Sequence, residues 1–392
     1  MTQHEKRDHA YLSASGSHRW LHCTPSVMLE ELHGIEGDKT FAEEGTKAHE
    51  LAELYIKRDI LGETIADSDL DKIKSSEYYS AEMESAVKWY VEIIGECFRE
   101  AQTADKCAQL ITEQRVDLRD WVPESFGTTD CTIIANDEML VIDLKYGKGV
   151  RVDAENNPQL RLYALGSYKE HNIVYDIKTV KTMIIQPRID HVSTETISIE
   201  DLLVWAENEV RPNAEKAFSG VGDLVTGDWC QFCKVRTRCR KLYEENIEKA
   251  KICFGEDPNI MSDDEIAEVV IKGEKITSWI TAVQEMAERE AIAGKKFKGL
   301  KLVRGRSVRK WVNDEKARQA ILERFPGLTE SQITKVKLCG IGDLEKLLGK
   351  KVFADNLSDL TIKPDGALKL VGESDARPEA SKTDLAKDAF SD

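Results

Sequence analysis

Three cysteines fall within ten residues, in the spacing Cys230-x-x-Cys233-x5-Cys239. Two thiolates two residues apart can grip one metal centre from a single turn, and a third follows on the next loop. Cys23, roughly 200 residues upstream, is the candidate fourth ligand. Four thiolates suit a structural zinc or an iron–sulfur cluster, and residue types and spacing alone leave both open. Free cysteine is commonly a buried, inert side chain. That is the reading for the isolated Cys97, Cys107, Cys131, Cys253 and Cys339. It fits the triplet poorly, because Lys234, Arg236, Arg238 and Arg240 interleave with it.

A second set of residues points to hydrolytic chemistry. In Val141-Ile142-Asp143-Leu144-Lys145, strand alternation makes Asp143 and Lys145 project together while Ile142 and Leu144 face the core. Asp130 lies thirteen residues earlier, and a hairpin would bring it to Asp143. Two carboxylates with no compensating charge repel unless a cation joins them, and oxygen ligands favour Mg²⁺ or Mn²⁺. A nearby lysine would stabilise a hydroxide or a developing phosphorane charge. His49 stands on a helical segment with Glu53 at i+4 on the same face, and Gln159-x-x-x-Tyr163 repeats that spacing after the strands. Each piece alone is common on protein surfaces. The information lies in the ordered set: helical His, strand Asp, strand Asp-x-Lys, helical Gln-x-x-x-Tyr, then the cysteines.

The elements that must position these groups are legible from periodicity. A short helix starts near Thr24-Pro25-Ser26, and helical spacing runs over 45–58 and 79–105. Strands are predicted at 107–118, 126–135 and 138–147, with Asn136-Asp137 as a tight hairpin turn. Helix over 157–170, strand over 181–187 and helix over 199–218 follow, which together imply a mixed α/β core. Ser262-Asp-Asp-Glu265 is a capping box that opens a long helix reaching Gly294. Two short strands, or a strand and a turn, are expected over 299–312, two short helices over 314–349, and a disordered tail over the final residues.

The 392 residues exceed one small domain. With 41% hydrophobic and 32% charged residues the composition is globular. A net charge of −16 lowers the expectation of nucleic-acid binding without deciding it, because local charge governs contact. Local positive charge exists at 234–241 and at Lys295, Lys296, Lys298, Lys301, Arg304, Arg306, Arg309 and Lys310, a run free of acids. No apolar run is long enough to span a bilayer and no signal-peptide pattern opens the chain, so a cytoplasmic protein without a membrane partner is expected.

Taken in order, these residues resemble the PD-(D/E)XK nuclease superfamily, and in detail its iron–sulfur branch: RecB-type nucleases, the AddB C-terminal domain and the CRISPR adaptation nucleases. The resemblance rests on His49, Gly127-Thr-Thr-Asp130, Asp143-Leu-Lys145, Gln159-x-x-x-Tyr163 and one cysteine before plus three after the core. It covers roughly 20–245; beyond 250 it is weaker and is to phage-type proteins of unknown role. It implies a restriction-endonuclease-like α/β core, a mixed sheet flanked by helices, with a stapled N-terminal segment and a mainly helical C-terminal extension. The domains would be 1–248, 249–371 and a tail at 372–392.

By resemblance, His49, Asp130, Asp143 and the Leu144 carbonyl hold Mg²⁺ or Mn²⁺. Lys145, Gln159 and Tyr163 serve catalysis, and a 4Fe-4S cluster on Cys23, Cys230, Cys233 and Cys239 is favoured over zinc. Glu53 and Glu113 are secondary candidates; Glu113 resembles an acidic residue that some relatives carry. Many relatives have Arg where this chain has Cys131, which removes a phosphate contact or salt bridge but no ligand. The implied activity is a DNA nuclease, an exonuclease acting on single strands or free ends, phage or prophage encoded and working with replication or recombination proteins. The competing expectation is a non-catalytic DNA-binding or scaffold protein on the same fold.

Overall fold

A computed structural model of the chain describes residues 10–34, 40–252, 262–303 and 314–324, with isolated positions between 329 and 361. The chain divides into two compact units, Met1–Glu265 and Ile266–Asp392. The first opens with α1 (Ser17–Trp20), α2 (Ser26–His33), α3 (Thr40–Asp59), α4 (Asp67–Lys74) and α5 (Ala81–Ala104). Strands β1 (Gln109–Asp117), β2 (Phe126–Ala135) and β3 (Glu138–Leu144) follow, then α6 (Pro158–His171), β4 (Thr179–Gln186) and β5 (His191–Ser198). The unit continues through α7 (Ile199–Trp205), α8 (Arg211–Ser219) and α9 (Arg240–Ile252).

The five strands form one mixed sheet in the order β1-β2-β3-β4-β5, flanked by helices on both faces. Neighbouring strands are antiparallel except β3 and β4, which are parallel. A parallel pair needs a crossover, and α6 supplies it. Alternation sorts the side chains cleanly. Ile134, Met139, Val141 and Ile184 pack under α6 and α7, whereas Ile133, Leu140, Ile142, Leu144 and Ile185 pack under α3 and α5. Both faces are therefore core, so Asp143, in phase with Val141, is buried rather than presented to solvent.

Local chemistry accounts for the boundaries. Asn136, at φ +52, makes the two-residue β2–β3 turn. Ser80 caps α5, Asn157 caps α6 ahead of Pro158 at its first turn, and Ser198 caps α7. The helix predicted over 199–218 is interrupted by a π-turn at Ala206–Val210. Pro212 explains it: its ring and missing N–H cannot sit in a regular ladder, and the wide turn absorbs the mismatch. Helix α4 and strand β5 escape the periodicity reading. The β5 side chains, HVSTETIS, lack a strong apolar alternation because this is an edge strand.

The capping box forms as expected, at the end of the first unit: Ser262 Oγ accepts from Glu265 N–H, and Glu265 Oε2 accepts from Ser262 N–H. It opens α10 (Asp263–Ile292), on which Ala282 and Met286 are buried while Ile266, Val269 and Ile280 remain exposed. Residues 299–303 form no strand, and 304–312, where the rest of that expectation falls, lie outside the described residues. Helix α11 (Asp314–Arg324) is one of the two short helices expected there; the other, and the tail at 372–392, also lie outside them.

Helices α3 and α5 are tied by one carboxylate. Glu84 accepts from Tyr55 Oη at 2.7 Å and Tyr79 Oη at 2.6 Å, and pairs with Lys88 at 2.9 Å. Burial works to raise its pKa, but these partners outweigh it and hold the carboxyl down at about 2. A depressed carboxyl stabilises the fold above its unfolded value and loses that contribution as pH falls through the folded one. We expect Glu84→Gln to cost on the order of 2 kcal/mol at pH 7, with the gap from wild type closing between about pH 4.5 and 2. Urea unfolding at a series of pH values measures it; a gap that stays constant with pH would contradict the assignment.

Candidate metal centre

The site begins where the sheet forks. The pairing of β2 with β3 ends at Cys131–Ile142, but β2 stays on β1 as far as Asp117–Phe126, and β3 stays on β4 to Leu144–Ile185. The two central strands part, with Asp130 and Asp143 at the fork. Lys145 N–H is taken by Ile185 O on β4 at 2.9 Å, so the preceding N–H, of Leu144, faces β2. Asp130 Oδ2 accepts that N–H at 2.7 Å, replacing a strand carbonyl. The aspartate thus completes the backbone bonding of the fork while leaving Oδ1 to other partners.

One of these is His49, from α3, whose Nδ1 lies 3.2 Å from Asp130 Oδ1. Another is Glu113. It stands on β1 between the pairs Thr112–Cys131 and Gln114–Thr129, opposite Asp130, and has φ +47. A left-handed glutamate within a strand is a local strain, and such strain concentrates at functional sites. Ligand atoms of His49, Glu113 and Asp130 all lie within 4.8 Å of one another, a group that could hold a metal ion. Glu113 therefore moves from secondary candidate to member of the central group. Glu53 does not join it; it pairs with Lys57 at 2.5 Å.

Asp143 is held differently from the expected ligand set. Its Oδ2 pairs with Lys145 Nζ at 2.9 Å and its Oδ1 accepts from Gln159 Nε2 at 3.2 Å. Gln159 Oε1 accepts from Lys145 Nζ at 2.9 Å, and Gln159 Nε2 also donates to Tyr163 Oη at 3.1 Å. The α6 glutamine so fixes the distance between the lysine and the carboxylate. Leu144 contributes its N–H to Asp130.

Electrostatics agree with a cation site. Burial opposes charge on His49, but Asp130 beside it, with Asp143 and Glu113, outweighs that and lifts the imidazole to about 9. Burial, and then Asp130, pushes Glu113 up to about 7. Burial also raises Asp143, with Lys145 working against it. Burial acts to raise Asp130 as well, but His49 and the Leu144 N–H outweigh it and hold the carboxyl below its ordinary value. At neutral pH a proton on His49 thus offsets the carboxylates, and a divalent cation could take over that task. The donor set, one imidazole among carboxylates, fits Mg²⁺ or Mn²⁺.

The four cysteines predicted as ligands line one cleft, with Arg19, Trp229, Val235 and Leu242 among its walls. Cys23 is buried and the other three are half-buried. Burial raises the thiols of Cys23 and Cys230 and pushes Cys233 up to about 12, while backbone groups of Val225 and Ser26 at Cys23, Gly227 at Cys230 and Val235 at Cys233 act in the opposite sense. Gly227 N–H lies 3.5 Å from Cys230 Sγ. The N-terminal segment reaches the triplet through contacts that involve no thiol. Thr24 Oγ1 donates to Val221 O at 2.6 Å, Lys234 N–H donates to Glu30 at 2.7 Å, Arg19 pairs with Glu30 at 2.7 Å, and His22 stacks on Trp229 with centroids 4.2 Å apart.

Of the basic run, Lys295, Lys296, Lys298 and Lys301 are exposed, and Lys295 pairs with Glu290 at 2.8 Å. Arg304, Arg306, Arg309 and Lys310 lie outside the described residues.

Gly127 explains how Tyr163 reaches the fork: a Cβ there would lie 2.7 Å from Tyr163 Cε1. We expect Gly127→Ala to destabilise by about 1–3 kcal/mol through overpacking. The penalty should shrink in a Tyr163→Leu background, giving a coupling in a double-mutant cycle. Strict additivity of the two substitutions would show that the ring is free to move aside.

Among solved structures, the crystal structure of SSO0001 is similar at 13% identity, covering 55% of this chain and 94% of its own length with a TM-score of 0.22, too slight a likeness to bear on the fold. No helix among the described residues is long and apolar enough to cross a membrane. The family described as "protein of unknown function", DUF2800, matches residues 9–378, nearly the full length, and the chain belongs to that family.

Proposed function

We propose that this protein is a Mg²⁺- or Mn²⁺-dependent deoxyribonuclease of the PD-(D/E)XK type, working from free ends or on single strands in DNA replication, recombination or end processing. The observation that carries the reading is the convergence of His49, Glu113 and Asp130 within 4.8 Å, next to Asp143 bound to Lys145 and Gln159. His49, Asp130 and Glu113 would hold the cation, with Asp143 and the Leu144 carbonyl completing the set. A divalent ion there would supply charge to the scissile phosphate and lower the pKa of a water.

The remaining work falls to the side chains. Lys145, paired with Asp143 and aimed by Gln159, orients the attacking water and meets negative charge developing on the phosphate oxygens. Tyr163 braces Gln159 through its hydroxyl. The exposed lysines at 295–301, with the arginines that follow in sequence, would serve as the DNA-binding arm. All the residues that the chemistry requires are present, which favours the enzyme over the non-catalytic scaffold reading.

Cleavage of end-labelled single- and double-stranded DNA with Mg²⁺ or Mn²⁺ tests the proposal. Wild type should cut, and Asp143→Ala should lose activity by about 10³-fold while keeping its circular dichroism spectrum. An Asp143→Ala protein that cuts as well as wild type, or a wild type inert with both metals, would sink it.

The shared cleft of Cys23, Cys230, Cys233 and Cys239 supports a bound metal centre that fastens the N-terminal segment to the end of the core. The resemblance favours a structural 4Fe-4S cluster over zinc. Anaerobic purification should give a brown protein with iron and sulfide; a colourless protein with one equivalent of zinc decides for the alternative. Serine at Cys23 should remove the colour and lower the unfolding temperature.

A further inference from the structure

Tyr90 projects from α5 into the core beneath the fork. It is 1% exposed, and its ring packs in the cluster that contains Cys131, Ile142 and Leu144, the immediate neighbours of Asp130 and Asp143. Its hydroxyl is buried and has no hydrogen-bond partner among the described residues. Two other tyrosines of this region are satisfied: Tyr55 donates to Glu84, and Tyr163 accepts from Gln159; Tyr146, next to Lys145 in the same cluster, shares the unpaired state of Tyr90. Leaving a hydroxyl buried and unpaired costs on the order of 1–3 kcal/mol, a cost that phenylalanine would avoid at the same volume. The charges that bear on this hydroxyl are, in order, those of Asp130, Cys131, Asp143 and Glu113. Three of the four are carboxylates of the fork. The missing partner is therefore an acceptor on the site side, and the site is built for a hydrated cation.

We propose that Tyr90 is a positioning residue of the metal centre, whose hydrogen bond is completed only when a hydrated divalent cation occupies the fork. The inference rests on the proposed cation site and deepens it. Tyr90 touches the hydration or the carboxylates of the ion, not the DNA. It therefore sets metal affinity, and it stabilises the protein only in the loaded state. Tyr90 and Tyr163 approach from opposite faces of the sheet, so the fork is bracketed by two phenols, one satisfied by the protein and one by the ion.

The test compares full-length wild type, Tyr90→Phe and Tyr55→Phe, with Asp130→Asn as the blank for cation bound elsewhere. Thermal unfolding is followed in cation-depleted buffer and with added Mn²⁺, and Mn²⁺ affinity is measured by paramagnetic resonance. In depleted buffer, Tyr90→Phe should melt at or above the wild-type temperature, whereas Tyr55→Phe, which loses a made bond, should melt below it. With Mn²⁺, Tyr90→Phe should bind about tenfold more weakly than wild type and gain a smaller thermal shift. Equal Mn²⁺ affinity in wild type and Tyr90→Phe overturns the role of Tyr90 and leaves the cation site standing. A wild type that binds Mn²⁺ no better than Asp130→Asn overturns the cation site and this inference together. A Tyr90→Phe protein that melts as far below wild type as Tyr55→Phe in depleted buffer also overturns it, because the hydroxyl would then have a partner without the ion.

Discussion

The hydrogen bond from Leu144 N–H to Asp130 Oδ2 is the contact on which the site depends. Two adjacent antiparallel strands cannot separate inside a covered sheet without stranding backbone donors, and stranded donors are costly. By accepting one of them, Asp130 makes the separation tolerable. The gap so opened gives a histidine from α3 and a glutamate from β1 access to the same aspartate. One carboxylate thus serves the sheet with one oxygen and the imidazole of His49 with the other.

On the far side of the gap the device is a side-chain triangle. Asp143, Lys145 and Gln159 are joined pairwise at 2.9–3.2 Å, so none can turn without breaking two contacts. A buried carboxylate beside an ammonium is stable only when its remaining lone pairs are filled. Gln159 fills one on Asp143 and simultaneously accepts from Lys145, which is why a neutral amide, with both donor and acceptor, suits that place better than a second charge.

Much of this is legible in the sequence. Strand β2 has the predicted bounds, α6 lies within one residue of them, and the hairpin at Asn136-Asp137 forms, because alternation, helical spacing and turn chemistry all act locally. The pairing of Asp143 with Lys145 followed from strand periodicity. The fork did not, because it is a property of which strand stays with which neighbour. Glu113 gained its place from an unusual backbone angle that no residue type announces. Tyr90 was invisible for the opposite reason: at i+3 and i+4 from Val87 and Ala86 it fits the apolar stripe of α5, and only the lack of a partner distinguishes it. Strand β5 escapes the reading because its apolar alternation is weak, and helix α4 because it is short and carries only Leu70 and Ile73 as apolar residues.

The thiol cleft has a further consequence. Its walls are joined by a threonine hydroxyl, a carboxylate, a guanidinium and a stacked imidazole–indole pair, none of which is sulfur. Folding can accordingly bring the four sulfurs to one cleft through these contacts alone, with no bond between the sulfurs themselves.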